Sequence, residues 1–205
     1  MPGQGDGGPL VMAGGHLFIL SGPAGAGKGT LRKILFQKMD MVFSVSCTTR
    51  SMRPGEAEGR DYYYISREDF ERMARCGEFL EWAEVHGNLY GTRKCDVEGV
   101  LYSGRDILLE IDVQGARQVK SRKPEAILIF ITAPSLDDLE SRLEDRGTET
   151  QAQLDVRLRN AANEMRSARE YDHIIVNDEL LRASEELAGL IERYRDRTPV
   201  PSGGN

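Results

Sequence analysis

The sequence predicts an α/β protein with a central parallel sheet and helices on both of its faces. Three observations indicate this class: short continuous apolar runs, helical patterns between them, and a glycine-rich turn that joins the first run to the first helix. Continuous runs of Ile, Leu and Val are typical of strands that are covered on both faces. Strands that alternate with helices are typical of parallel sheets.

Four apolar runs are the expected strands, and four amphipathic patterns are the expected helices. The strands are His16–Leu20, Ile107–Val113, Ile127–Ala133 and His173–Val176. The helices are Thr30–Met39, Ser135–Arg146, Glu149–Glu170 and Asp178–Tyr194. Ser135 and Asp138 have the spacing of a capping box, in which side chains satisfy backbone N–H groups of the first helical turn.

The segment from Arg50 to Cys95 interrupts this alternation of strands and helices. It is rich in tyrosine, glycine and charge, and only Arg67–Arg75 has a clear helical pattern. We therefore expect an insertion of short antiparallel strands with one helix. Tyr62 and Tyr64 should face one way and Tyr63 the other, because side chains alternate along a strand.

Composition narrows the functional classes. The 205 residues carry a net charge of −6, so nucleic acid is not an expected partner. No apolar run approaches the ~20 residues of a membrane span, and the N-terminal residues do not resemble a secretory signal. The three cysteines lack metal-site spacing, which favours reduced thiols in the cytoplasm. Residues 1–15 and 198–205 are expected to be flexible tails, with Met12 as an alternative start.

The stretch SGPAGAGKGT, Ser21 to Thr30, follows the first expected strand and opens the first helix. It fits the phosphate-loop pattern GxxxxGK[ST] at Gly22, Gly27 and Lys28. Glycines allow backbone N–H groups to surround a phosphate, and the new helix offers its positive end to the same anion. Gly29 occupies the usual hydroxyl position, so Mg²⁺ would be held mostly by water and phosphate oxygens, with help from Thr30.

A second anion site is expected in the insertion. Arg50 and Arg53 lie three residues apart and are followed by Tyr62, a combination suited to the oxygens of a second phosphate. Further on, Glu81 offers a carboxylate that could accept from both N1–H and N2–H of guanine. Hydroxyls from Ser46 or Thr92 could meet the acceptor edge of the same base. Taken alone, the arginines could also be solvated surface residues, and Glu81 an exposed strand residue.

Several motifs in one order strongly resemble guanylate kinase, over about residues 16–194. They are GPAGAGKGT, SCTTRSMRPGEAEGRDYYY, GEFLEWAEVHGNLYGT, LLEIDVQGA, RLEDRGTE and HIIVND. Ala24, Cys47 and Gly29 depart from the residues usual in this family. The resemblance implies a P-loop kinase fold at 16–197, with a core at 16–49, 96–134 and 170–197. It also implies an inserted small mixed GMP-binding subdomain at 50–95 and a helical lid at 135–169.

The resemblance also implies ATP-dependent phosphorylation of GMP, and of dGMP, in purine nucleotide metabolism, with Mg²⁺. The implied ATP-binding residues are Gly22, Pro23, Ala24, Gly25, Ala26, Gly27, Lys28, Gly29, Thr30 and Asn177. The implied GMP-binding residues are Ser46, Arg50, Arg53, Tyr62, Glu81, Tyr90, Thr92 and Asp112. The implied catalytic residues are Lys28, Arg50, Asp112, Arg142, Arg146 and Arg157, of which the last three would come from the lid.

Two other classes compete with this interpretation. A kinase for another nucleoside monophosphate would share GKGT, but the arginine segment and the Glu81 segment disfavour it. A catalytically inactive scaffold of guanylate-kinase type is disfavoured because Lys28, Arg50 and Arg53 are all present. The oligomeric state is left open by the sequence.

Overall fold

The structure is a computed structural model that describes residues 14–85, 87–145 and 151–196, without the side chains of 151–153 and 155. Residues 1–13 of the predicted N-terminal tail, all of the predicted C-terminal tail, His86 and Arg146 therefore lie outside the described residues. Gly15 was assigned to the N-terminal tail, but its N–H donates to the Leu101 carbonyl at 3.1 Å. Gly15 is thus bonded to the residues that follow the predicted tail.

The nine strands found in the described part of the chain form two sheets. In chain order they are β1 (Leu17–Ser21), β2 (Val42–Phe43), β3 (Cys47–Thr48), β4 (Tyr63–Tyr64), β5 (Phe79–Val85), β6 (Asn88–Arg93), β7 (Ile107–Glu110), β8 (Ile127–Thr132) and β9 (His173–Val176). The larger sheet has the order β2-β7-β1-β8-β9, and each of its neighbouring pairs is parallel. The predicted parallel sheet is confirmed, and β2 is a strand that the sequence pattern did not reveal.

Seven α-helices accompany the strands in the described residues. They are α1 (Lys28–Lys38), α2 (Arg67–Arg75), α3 (Lys94–Tyr102), α4 (Val113–Arg122), α5 (Leu136–Glu144), α6 (Gln151–Arg166) and α7 (Leu180–Arg195). The helix predicted at Glu149–Glu170 is shorter than expected, because Ser167–Glu170 is a 3-10 turn. The predicted cap is present, since Oγ of Ser135 accepts from the Asp138 N–H at 3.1 Å.

Alternate side chains of each central strand pack on opposite faces of the larger sheet. Phe18 and Leu20 of β1 belong to one core cluster, which includes residues of α1 and α7. Leu17 and Ile19 belong to the other, which includes residues of α3 and α4. This two-sided burial explains why the strands have continuous apolar sequences.

The smaller sheet has the order β4-β3-β6-β5 and corresponds to the predicted insertion. Its strands pair antiparallel except for β3 and β4, which run parallel. The expected antiparallel strands are present in β3, β5 and β6, whereas β4 is added to β3 in parallel. Helix α2 spans Arg67–Arg75, as predicted. Its Phe70 packs with Cys47, Phe79 and Leu89 to form a separate small core. The sheet begins at Cys47, just before the predicted boundary.

No helix within the described residues is both long and apolar enough to span a membrane.

Candidate active site

The glycine-rich loop connects β1 to α1, as the sequence predicted. Gly22, Gly25 and Gly27 have φ angles of 142°, 86° and 86°, which favour glycine. A Cβ on Gly22 would lie 1.9 Å from the Ile131 carbonyl oxygen, so the loop also needs glycine for close packing. Lys28 begins α1, and its ammonium donates to the carbonyls of Gly22 at 2.5 Å and Pro23 at 3.0 Å. This places a cation inside the loop, at the N-terminus of a helix.

The next two residues bear on how a metal could bind. A Cβ added to Gly29 would meet nothing within 4 Å, so the missing hydroxyl leaves open space beside the loop. Thr30 is exposed on the first turn of α1. No group of three or more His, Cys, Asp or Glu side chains in the described part of the chain is arranged to hold a metal. The open space beside Gly29 and the exposed Thr30 therefore leave room for a metal ion next to the loop.

Asn177 joins the loop to the predicted lid. Its Nδ2 donates to the Ala26 carbonyl at 2.8 Å, and its own carbonyl accepts from Arg142 at 2.8 Å. Arg142 lies in the last turn of α5, so the side chain predicted to act from the lid lies next to the phosphate loop. Arg146 lies outside the described residues.

A cavity of about 280 Å³ separates the loop from the smaller sheet. Gly22, Ala24 and Lys28 line one side of it. Predicted acceptor-site residues line the other side, namely Ser46, Tyr62, Glu81 and Tyr90. A second cavity of about 270 Å³ is lined by Ala24, Asp112 and Arg157, so the predicted lid arginine on α6 also reaches the cleft. The phosphate loop and the residues predicted to bind GMP therefore lie on opposite sides of one cavity.

Arg50 lies at the acceptor side, paired with a residue that the sequence interpretation did not single out. Its guanidinium donates to both carboxylate oxygens of Glu56, at 2.8 and 3.0 Å. The hydrogen bond from Arg50 lowers the pKa of Glu56 to about 2. Glu56 also accepts from the Tyr64 hydroxyl at 2.7 Å and from the Arg53 N–H at 2.8 Å. The Glu56 carboxylate thus fixes the orientation of the Arg50 guanidinium.

The three consecutive tyrosines divide as predicted. The guanidinium carbon of Arg50 lies 5.3 Å from the ring centroid of Tyr62 and 5.9 Å from that of Tyr64. Tyr63 instead lies under Arg93 at 4.1 Å and packs on the small core. Tyr62 and Tyr90 have ring centroids 5.8 Å apart and line the same cavity. Arg53 is exposed.

Glu81 is a buried carboxylate with only 3% exposure, so the alternative of an exposed strand residue was wrong. It accepts from the Thr92 hydroxyl at 2.6 Å. Burial raises the pKa of Glu81 to about 7, the Thr92 hydrogen bond opposes that rise, and the charge of Asp112 adds to it. From the sequence, the Thr92 hydroxyl was expected to donate to the acceptor edge of guanine. In the structure it donates to the Glu81 carboxylate.

Asp112 corrects one predicted boundary. The strand expected at Ile107–Val113 ends at Glu110, and Asp112 is the N-cap of α4. Its carboxylate accepts from the Gly115 N–H at 2.8 Å and from Gln114 Nε2 at 3.0 Å. The carboxylate that looked costly inside an apolar run is therefore hydrogen-bonded at a helix end, and it lines both cavities.

Glu164 of α6 is a cleft residue that sequence reasoning missed. It lines both cavities, and burial raises its pKa to about 7 although the positive charge of Lys28 opposes the rise. The spacing of Arg157, Asn160 and Glu164 is i, i+3, i+7, which places all three on one helix face. That periodicity, read from Arg157, could have identified Glu164.

The comparisons with known proteins agree with this geometry. A sequence model of the guanylate kinase family matches residues 14–194. A guanylate kinase of Rubrobacter xylanophilus is 49% identical over 180 residues, which cover 87% of this chain and 94% of that protein. One from Desulfitobacterium hafniense is 47% identical over 178 residues, or 86% of this chain and 89% of that protein.

A solved structure leads to the same family. The crystal structure of guanylate kinase from Anaplasma phagocytophilum matches with a TM-score of 0.76 at 34% identity, and the match covers 91% of this chain and 89% of that one. Sequence, fold and the arrangement of the cleft therefore agree that this chain belongs to the guanylate kinase family.

Proposed function

We propose that the protein transfers the γ-phosphoryl group of ATP to the phosphate of GMP, yielding ADP and GDP. The observation that carries the proposal is one cleft in which Lys28 of the phosphate loop faces the buried carboxylate of Glu81. The first suits a triphosphate and the second suits guanine. Membership of the guanylate kinase family supports the same reaction.

On the donor side, the backbone N–H groups of Gly22–Thr30 and the N-terminus of α1 would bind the ATP phosphates. Lys28 would move its ammonium from the loop carbonyls to the terminal phosphates, because a charged phosphate oxygen is the stronger acceptor. Asn177, bound to the Ala26 carbonyl, would hold the end of the loop and border the nucleotide.

On the acceptor side, Arg50 and Arg53 would bind the GMP phosphate together with the hydroxyls of Tyr62 and Tyr90. Arg50 is already oriented by Glu56, so little side-chain freedom would be lost when phosphate arrives. Glu81 would accept from N1–H and N2–H of guanine, while Ser46 would meet its acceptor edge. Adenine lacks that pair of donors and would leave the buried carboxylate poorly matched.

In the transfer step, a GMP phosphate oxygen would bond to the γ-phosphorus as the bond to the bridging oxygen of ADP breaks. The electron pair of the broken bond would remain on the β-phosphate of ADP. The acceptor phosphate is largely ionised near neutral pH, so no strong general base is required. Arg142 and Arg157, with Arg146, would stabilise charge on the transferring group, and closure of the lid would exclude water.

Magnesium would neutralise phosphate charge and align the ATP phosphates when bound. Thr30, exposed on the first turn of α1 beside the open space at Gly29, would assist in holding it. Asp112, at the N-terminus of α4, would orient the reacting phosphate groups in the cleft.

We further propose that dGMP is also accepted, because none of the assigned contacts uses the ribose 2′-hydroxyl. The reaction would then serve purine nucleotide metabolism by recycling GMP. The free cysteines Cys47, Cys76 and Cys95 support a reducing compartment such as the cytoplasm.

The experiment is a coupled assay of ADP release from ATP and GMP. Lys28→Met should reduce kcat by roughly 10²-fold or more, because a group that stabilises transferring charge is lost. Lys33→Met, at an exposed position of the same helix, is the matched control and should retain the wild-type rate. Equal rates for Lys28→Met and the wild type would contradict the proposal.

A further inference from the structure

The polar edge of β5 is covered by side chains of a helix. β5 is the last strand of the smaller sheet and pairs on one side only, with β6. Its other side would present unpaired N–H and C=O groups. Gln118 of α4 meets this edge, because its Oε1 accepts from the Trp82 N–H at 3.3 Å and its Nε2 donates to the Trp82 carbonyl at 2.7 Å. One side-chain amide therefore takes the place of a neighbouring strand.

A second contact lies about one helical turn further on. Arg122 donates to the Phe79 carbonyl at 3.2 Å and also to the Leu80 carbonyl. Phe79 and Leu80 precede Glu81, and Trp82 follows it. Side chains of α4 thus fasten the backbone of β5 on both sides of the buried carboxylate.

Gly115, one turn before Gln118, lets the carboxylate approach the helix. A Cβ on Gly115 would lie 2.4 Å from Oε2 of Glu81 and 3.0 Å from its Cδ. Residues 115, 118 and 122 follow the i, i+3, i+7 spacing of one helical stripe. A single face of α4 therefore contacts the side chain of Glu81 and the backbone around it.

We propose that Gly115, Gln118 and Arg122 are positioning residues that set the location of the Glu81 carboxylate and thereby the selection of guanine. The inference rests on the proposed function. Two donors of one base edge must meet two oxygens of one carboxylate, so a small displacement of β5 weakens both hydrogen bonds. Gly22, Ala24 and Lys28 of the phosphate loop line the opposite side of the first cavity, so we expect ATP binding to be affected less than GMP binding.

The test uses Gln118→Met, which keeps side-chain length and helix propensity but removes the paired hydrogen bonds to Trp82. Gly115→Ala is a second variant, in which the added methyl group would displace the carboxylate. Gln37→Met makes the same chemical change at an exposed position of α1 and is the control. Steady-state kinetics are measured with GMP and with inosine monophosphate, which keeps N1–H but lacks the 2-amino group.

Both variants should raise the KM for GMP by about 5- to 10-fold, the effect of roughly one weakened hydrogen bond. In Gln118→Met, kcat and the KM for ATP should stay within about 2-fold of the wild type. The preference for GMP over inosine monophosphate should fall. In a Glu81→Gln background the same substitutions should have little further effect, because residues that act through one group are not additive. Gln37→Met should behave as the wild type in every assay.

The inference is overturned if both variants keep wild-type GMP kinetics, if they impair GMP and ATP alike, or if their effects add fully to that of Glu81→Gln. A wild-type protein that does not phosphorylate GMP would overturn the proposed function, and this inference with it. A wild type that uses GMP beside unaffected variants would overturn the inference alone.

Discussion

The Thr92 hydroxyl donates a 2.6 Å hydrogen bond to Oε1 of Glu81, and both residues are buried where β5 pairs with β6. Burial favours the protonated carboxyl, whereas this hydrogen bond favours the carboxylate. The two effects leave Glu81 near its midpoint of ionisation at neutral pH. A ligand edge with two N–H donors would shift it to the charged form.

Replacing Glu81 by Gln should weaken GMP binding and relax the discrimination against AMP. The carboxamide keeps one acceptor but brings its own donor toward the N–H edge of guanine. We expect the KM for GMP to rise roughly 10- to 100-fold, as for the loss of one hydrogen bond to a charged group. Steady-state kinetics with GMP and AMP measure both effects. Glu78→Gln, at an exposed position just before β5, is the control, and unchanged GMP kinetics in Glu81→Gln would refute the base-recognition assignment.

The kcat/KM for GMP should depend on pH through Glu81. This parameter reports groups of the free enzyme, and the pKa of Glu81 in the free protein is about 7. The ionised carboxylate is the form that accepts from guanine, so kcat/KM should rise as pH increases through about 7 and then level off. In Glu81→Gln the part of this rise in kcat/KM that is due to Glu81 should disappear. Any pH dependence that comes from the GMP phosphate or from Glu164 should remain. An identical profile in the variant would contradict the assignment.

The same carboxylate should cost stability at alkaline pH. Its folded pKa of about 7 lies above the ordinary glutamate pKa of 4.5, so the folded protein holds a proton that the unfolded chain releases. The free energy of unfolding contributed by Glu81 therefore falls as pH rises from about 4.5 through 7. Glu81→Gln should gain roughly 2 kcal/mol relative to the wild type between pH 5 and pH 8. Urea unfolding at the two pH values measures this, and no relative change would argue against a perturbed carboxyl.

Two glycines of the phosphate loop should respond oppositely to alanine. Gly27 has a φ of 86°, and a Cβ there would lie 2.3 Å from Nδ2 of Asn177, so Gly27→Ala should destabilise the fold. Gly29 lies inside α1 with open space around it, so Gly29→Ala should stabilise by about 0.5–1 kcal/mol. Thermal unfolding of both variants checks the pair. Equal melting temperatures would show that the loop geometry is wrong.

Much of the fold was predictable because its signals are local. Continuous apolar runs in the sequence indicate the strands β1, β7, β8 and β9. Glycines that adopt positive φ identify the loop at Gly22–Thr30. The resemblance to guanylate kinase is confirmed, since it rested on several motifs in one order. β2 escaped prediction because a strand of two residues carries no periodicity of its own.

The parts of the site that escaped prediction depend on contacts between distant segments. Gln118 and Arg122 meet β5 only because α4 packs beside that strand. The boundary at Asp112 was missed because an N-cap directly after an apolar strand looks like part of that strand. Glu56 was visible in the sequence, but its ion pair with Arg50 depends on a loop whose course no local pattern specifies.

The measurement that tests the account most directly is a panel of acceptor nucleotides. Purified protein with ATP and magnesium should release ADP rapidly with GMP, and only slowly with AMP, CMP or UMP. That result is expected if the buried Glu81 carboxylate selects the base across the cleft from Lys28. Failure to phosphorylate GMP, or equal rates with AMP, would contradict the central claim.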